Sequence, residues 1–405
     1  PYYPTTVPVA GTSIPTGGTT AISPDFKMPQ TWKSSLAVDM QLPWGIVGTV
    51  EGIYNKDINT AYFSNINLVQ PAALGVSGYP DNRLMYPTTN TQKYINPLTS
   101  AGQYSPTGTT AYNVTMLGNA SQGYYWSLTA KLEKQFSKGI SASLAYVRSG
   151  AKNLFDGGGD QPASAFQGTA TVNGSNFATL SYANYVVPTR LVGSFSYRKE
   201  YAKFLATSIS LVYQGSADGR FSYIYSTDFN RDGANADLIY IPKDPSEITF
   251  VSQTVGSGAN AVTYTPQQQS DAFFQYIEQD AYLSKRKGQY AERNGAALPW
   301  RNQFDFRILQ DFFVNVQGKR NTIQLSVDIF NLGNLLNSSW GLTKLINNNA
   351  ILIPANNSSV VSGGTVKPTY RLGLDRGGLI KDTFRDNVGF SSTYYMQFGV
   401  RYIFN

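Results

Sequence analysis

Residues 304–330 read FDFRILQDFFVNVQGKRNTIQLSVDIF. Phe304, Phe306, Ile308 and Phe312 fall on one side of a two-residue repeat, with Asp305, Arg307 and Asp311 on the other; Gln310 interrupts the apolar file once. A tight QGK turn leads to Ile323, Leu325, Val327 and Ile329, again at alternate positions. This alternation marks strands with one face out of water. Almost nothing in the chain reads as a helix able to cover that face. The hairpin therefore asks what its apolar side touches.

The same pattern recurs along the chain. Trp32 to Leu42 sets Leu36, Val38, Met40 and Leu42 against Ser35, Asp39 and Gln41, and a PWG turn leads to a second strand from about Ile46 to Ile58. YYWSLTAKLEKQF sets Trp126, Leu128, Ala130 and Leu132 against Ser127, Thr129, Lys131 and Glu133. An SKG turn precedes a fourth strand with Ala142, Leu144 and Tyr146; the fifth shows Leu191, Phe195 and Tyr197; after EYAK the sixth shows Ile209, Leu211 and Tyr213. The opening hairpin supplies the seventh and eighth. The ninth, TYYMQFGVRYIFN, points Met396, Phe398, Val400, Tyr402 and Phe404 one way and Gln397 and Arg401 the other.

Connections alternate strictly between two classes. PWG, SKG, EYAK and VQGK are short; the stretches 59–122, 150–184, 216–299 and 333–390 are long and rich in Gly, Asn, Ser, Thr, Tyr and Pro. In an up-and-down antiparallel sheet, alternate connections share an end, so the short turns lie at one rim and the long loops at the other. Such loops are rare in compact soluble domains and usual in outer-membrane barrels.

Composition narrows the function. The 405 residues include neither cysteine nor histidine, which removes disulfides, Cys/His zinc sites and imidazole or thiol catalysis. Charged residues are only 14 % of the chain, and the net charge of +7 is scattered without a basic stripe, which argues against nucleic-acid binding. No apolar run approaches the roughly 18–20 residues of a spanning helix. The expectation is a protein that is not an enzyme. The opening on Pro1, in a Pro/Gly/Thr-rich stretch, leads to the expectation that an N-terminal portion precedes this chain.

Two architectures fit the apolar files. A soluble β-sandwich would bury them between two sheets; a transmembrane β-barrel would turn them to lipid, with closure satisfying every backbone group. Strand length, the alternation of turns and the aromatic last strand favour the all-β, antiparallel transmembrane barrel. Phe398, Tyr402 and Phe404 in that strand form the type of C-terminal signal read by outer-membrane assembly machinery, placing the C-terminus at the periplasmic rim. The short turns are then periplasmic, and residues 1–30 form an extracellular loop ahead of the barrel portion, 31–405. Nine strands that begin and end downward cannot close an even-numbered barrel alone.

At this point phrases resembling a known family accumulate. SPDFKMPQTWKSSLAVDMQLPWGIVGTVEGIYNKDIN, AKNLFDGGGDQ, DFNRDGANADLIYIPKD, YLSKRKGQYAERNG and QDFFVNVQGKRNTIQLSVDIFNLGNLLNSSWG closely resemble the C-terminal barrel of Oar-like TonB-dependent outer-membrane receptors, over residues 22 to 405. The resemblance implies that these are the last nine of roughly 22 strands, preceded by a signal peptide, often a carboxypeptidase-regulatory-like domain, a TonB box, a plug and the earlier strands. It implies active transport of a bulky ligand (peptide, protein or glycan), powered through TonB, ExbB and ExbD. It also implies a bacterial outer-membrane location and, as further partners, a surface lipoprotein or secreted protein. A surface-docking or structural barrel and a passive porin-like channel remain as alternatives.

Several local features are candidate sites. DFNRDGANAD places Asp228, Asn230 and Asp232 at alternate positions before Gly233, with the Ala234 carbonyl and Asp237 following: oxygen ligands in the spacing of a Ca²⁺ loop, although Ile239 stands where an EF-hand has Glu. An Asx-rich turn without metal is the competing reading. SDAFFQYIEQDAYLSKRKG reads as the one helix, with Ser270 as N-cap and Phe273, Ile277 and Ala281 on one side, packing against neighbouring loops. YAERNGAALPW would carry rim salt bridges. Trp32, Trp44, Tyr54, Trp126 and Tyr402 read as an interfacial girdle, and Lys131, Glu133, Arg190, Asp305, Arg307, Asp311, Asp328 and Arg401 as an inward polar set.

Overall fold

The computed structural model describes residues 18–156 and 161–404. Nine long strands form one antiparallel meander: β1 (Gln30–Leu42), β2 (Ile46–Asn65), β3 (Tyr124–Gln135), β4 (Ile140–Asn153), β5 (Thr189–Tyr201), β6 (Leu205–Ala217), β7 (Trp300–Val316), β8 (Lys319–Phe330) and β9 (Tyr395–Phe404). Each pairs with its neighbour in sequence order. Every strand is long enough for the roughly 9–11 tilted residues needed to cross a bilayer.

The four short turns share a backbone solution. Trp44 and Gly45, Lys138 and Gly139, Ala202 and Lys203, and Gln317 and Gly318 all have positive φ. Two such residues in succession match the right-handed twist of the flanking strands. At Gly139 the requirement is also steric, since a Cβ there would lie 2.1 Å from the Arg198 carbonyl oxygen.

Strand register assigns the faces. Across β7 and β8, Phe306 pairs with Ile329, Ile308 with Val327, Gln310 with Leu325 and Phe312 with Ile323, while Arg307 pairs with Asp328 and Asp311 with Gln324. Across β8 and β9, Val327 pairs with Phe398 and Leu325 with Val400. The apolar sets read from alternation therefore share one face of the sheet. Among the described residues no second sheet covers it: Leu36, Phe398 and Val400 are 75, 73 and 77 % exposed. This excludes the sandwich, which would bury those side chains.

The edges differ from the interior. β1 pairs only with β2, and β9 only with β8, so both outer edges of the described meander are open. β1 and β9 run in the same direction, because an even number of antiparallel steps separates them. Joining them directly would need a parallel pair.

β2 runs seven residues beyond the expected end at Ile58, to Asn65. Its upper part, Thr60–Asn65, finds a partner in Val114–Ala120, after Val47–Lys56 has paired with β3. Thr19–Ile22 lies parallel to Val114–Leu117. Residues 1–17 of the expected first loop lie outside the described residues.

The long connections fold together into a cap with its own core. Leu74 and Met85 from the first loop, Tyr223 and Phe273 from the third, and Leu352 and Tyr370 from the fourth belong to one buried cluster. Ala170 and Val172 of the second loop pack against it. The expected helix is present as α1 (Pro266–Gln279), but Ser270 does not cap it. Thr265 does: its side chain accepts from the Gln268 N–H, and Gln268 reciprocates to the Thr265 N–H. Ala281 lies beyond the helix and is exposed. The true start carries a capping box with proline at the first helical position, a signal visible as TPQQ.

Helix α1 buries Phe273, Tyr276 and Ile277 completely, each contributing about 1.5–3 kcal/mol of apolar burial. Buried Gln269 ties the helix to two other segments, donating to the Val251 carbonyl (2.7 Å) and accepting from the Leu372 N–H (3.0 Å).

Candidate functional site

Three surfaces carry the chemistry: the apolar outer face, the polar inner face and the cap above them. On the inner face, register places Lys131, Glu133, Arg190, Asp305, Arg307, Asp311, Asp328 and Arg401 together, as alternation requires. Lys131 pairs with Glu133 and Arg307 with Asp328. Arg198 Nη1 meets Asp311 Oδ2 at 2.8 Å, and Gln324 donates to the other oxygen of Asp311 at 2.8 Å. Between β4 and β5 the wall changes character: Ser141 bonds Ser196 (2.6 Å) and Ser143 bonds Ser194 (2.7 Å). Mixed charges that neutralise one another beside small hydroxyls make a polar lining.

The cap is organised around Arg83, which sequence reasoning missed. Its guanidinium is fully buried, 2.9 Å from Asp81 Oδ2, and donates to the Leu238 carbonyl at 2.9 Å. It lies over the rings of Tyr225 and Phe229, at 4.9 Å from each centroid, and of Tyr290 at 5.5 Å. Burial works against its charge, but the Asp81 carboxylate beside it, with Tyr225 and Asp237 adding to the effect, more than offsets that and holds the group protonated. Arg83 stands in a loop without periodicity, so no local pattern signals its burial. Asp280 makes a second node at the end of α1, accepting from the Tyr223 hydroxyl (2.6 Å), the Thr383 hydroxyl (2.8 Å) and the Leu283 N–H (2.8 Å).

The rim segment 290–300 carries ion pairs: Arg286 with Glu292 at 3.0 Å and Arg293 with Asp156 at 3.7 Å. Arg293 is also buried against the Leu154 and Asn153 carbonyls, so it anchors loops as well as pairing.

In the acidic loop, Asp228 Oδ2 accepts from the Gly233 N–H (2.8 Å), Asn230 Oδ1 from the Asp232 N–H (2.9 Å) and Asp232 Oδ1 from the Ala234 N–H (2.8 Å). Asp237 Oδ2 accepts from the Phe229 N–H (2.7 Å), and its other oxygen faces Arg83 at 3.9 Å. Burial pushes the Asp232 carboxyl up to about 7, with the Asp228 charge adding to the effect; burial also raises Asp228 and, more strongly, Asp237. Among the described residues no group of three or more Asp or Glu side chains is arranged around a common metal position.

The outer face is the surface that decides identity. Trp32, Trp44, Tyr54, Trp126 and Tyr402 are all exposed, and the apolar band between the short turns and the cap is continuous across the register of all nine strands. A band of this kind is stable against hydrocarbon and not against water. The sequence model of a family described as an outer membrane beta barrel domain matches residues 1–350.

The chain belongs to that family.

No curated protein matches the chain. Membership places this outer-membrane barrel in the bacterial outer membrane. In β9, Phe398, Tyr402 and Phe404 all point outward with the lipid-facing set. Tyr402 donates to Asn321 at 2.5 Å, and Lys319 lies 4.9 Å from the Phe404 ring centroid. These contacts secure the rim next to the VQGK turn.

Proposed function

We infer that this chain is the C-terminal part of an Oar-like TonB-dependent transporter that moves a bulky peptide, protein or glycan across the outer membrane. The observation that carries the reading is the open meander. β1 and β9 run the same way with unpaired outer edges, and each unmet backbone group in hydrocarbon costs several kcal/mol. Further antiparallel strands, bringing the barrel to roughly 22, satisfy both edges, and a barrel that wide needs a plug. The polar inner face supplies a wall for such a plug. On this reading the TonB, ExbB and ExbD contacts lie outside this chain, and Phe398, Tyr402 and Phe404 serve recognition by the assembly machinery.

The jointly folded cap also favours a second reading, in which the barrel docks a surface lipoprotein or secreted protein without transporting anything. Neither reading assigns catalysis. Determining the complete polypeptide by intact mass and gene sequence tests the first: a plug and a TonB box are expected upstream, and finding neither removes active transport. Reconstituting the full protein in liposomes tests a porin-like channel, because steady leakage of small solutes would favour it over both.

A further inference from the structure

The cap contains a group of oxygens whose arrangement is not explained by loop packing. Asp228 uses Oδ2 for the Gly233 N–H, while its Oδ1 is buried and has no partner. The Tyr86 hydroxyl, in a side chain only 1 % exposed, has the Asn176 side chain beside it but no hydrogen bond of normal geometry, and lies near enough to Asp232 and Asp228 for both charges to oppose its ionisation. Asn230 is completely buried beside them. Buried polar atoms are normally satisfied, so an orphaned carboxylate oxygen and a buried phenol beside the same pair of carboxylates point to a missing ligand. A polar cavity of about 130 Å³ reaches Asp232 and Gly233 from the side of Asn65, Asn113 and Thr115. That is room for an ion with a few waters, at roughly 30 Å³ per water.

We propose that this loop binds one Ca²⁺ through Asp228, Asn230, Asp232 and the Ala234 carbonyl, with water from the adjoining cavity completing the shell. The donors are hard oxygens at alternate positions on a turn at Gly233, whose φ of 95° disfavours a side chain. Asp237 does not join them: it holds the base of the loop through the Phe229 N–H and Arg83. With two carboxylates in the donor set, affinity is on the order of 10⁻⁴–10⁻³ M, the range of extracellular Ca²⁺ modules. The loop touches the other three. Asn230 accepts from the Tyr86 N–H (2.9 Å), Asp232 from the Ser175 N–H (3.1 Å), and Arg231 donates to the Asn357 and Val360 carbonyls. An ion here therefore clamps all four long connections into one cap.

The test uses the full-length protein purified in detergent. Tb³⁺ is titrated with excitation in the tyrosine band, which Tyr86 is placed to sensitise, and then displaced with Ca²⁺; calorimetry measures Ca²⁺ binding directly. The expected result is one displaceable site per chain, weakened at least tenfold in Asp228→Asn/Asp232→Asn, with Mg²⁺ a poorer competitor. Protease resistance of the cap in the parent protein should rise on adding Ca²⁺. An absence of Ca²⁺ binding by the parent overturns the proposal, as does unchanged affinity in the double variant. Should that variant fail to assemble, the single Asp228→Asn is held to the same comparison.

Discussion

Replacing Arg83 with methionine should open the cap while leaving the barrel standing. The arginine is fully buried, shares two hydrogen bonds and an ion pair with Asp81, and lies over the adjoining rings of Tyr225 and Phe229. Methionine restores much of the volume but leaves the Asp81 carboxylate buried without its cation. Breaking one side of a buried pair costs about 3–5 kcal/mol, which raises the open population of the cap roughly a hundredfold to several thousandfold at 1.36 kcal/mol per tenfold. Native-state proteolysis of detergent-purified protein reads that population, and the gel shift of the unheated barrel reports whether the strands remain assembled. The double variant Arg83→Met/Asp81→Asn should recover a large part of the loss, because it removes both charges; the coupling is the deviation from additivity. Cleavage of Arg83→Met at the parent rate, or strictly additive costs in the double variant, would refute the claim that this pair holds the cap.

Three other expectations follow from the same geometry. Phe195→Lys, on the lipid face, should cost about 2–4 kcal/mol near the bilayer midplane, while Ser194→Lys, one residue away on the inner face, should cost much less; denaturant unfolding in liposomes compares them, and equal costs would invert the assigned faces. Thr265→Ala should destabilise helix α1 by about 0.5–2 kcal/mol through loss of its cap, whereas Ser270→Ala should leave its start intact, as read by hydrogen exchange across 266–279. Burial raises the phenols of Tyr223, Tyr225 and Tyr370, and pushes Tyr276 and Tyr282 up to about 12. The folded cap thus keeps these protons more tightly than the unfolded chain, so its stability is full below about pH 10 and falls as pH rises past it. Phenolate absorbance should show these tyrosines ionising together with cap unfolding, and a smooth titration near pH 10 with the cap intact would contradict their burial.

Strand positions and facing were legible because both depend on a local period of two. Phe306 and Arg307 declare opposite faces whatever the rest of the molecule does, and the four short turns declare one rim. The start of α1 was also written locally, in Thr265, Pro266 and Gln268, but the more apolar segment beginning at Ser270 masked it. The Asp and Asn spacing of the 228–237 loop was readable as well. The contact of Asp237 with Arg83 was not, because it joins residues 154 apart in the chain.

From its order of residues alone, this protein had a membrane-facing meander of nine strands, with short turns at one end and long connections at the other. Alternation and turn chemistry act between near neighbours, so one-dimensional pattern suffices for them. Tertiary structure alone decided that the long connections are a single folded cap. The contacts that make it so, such as Arg83 with Leu238 and the Tyr79 hydroxyl with that of Tyr370, join segments whose separation in sequence carries no period and whose burial exists only once all of them have come together.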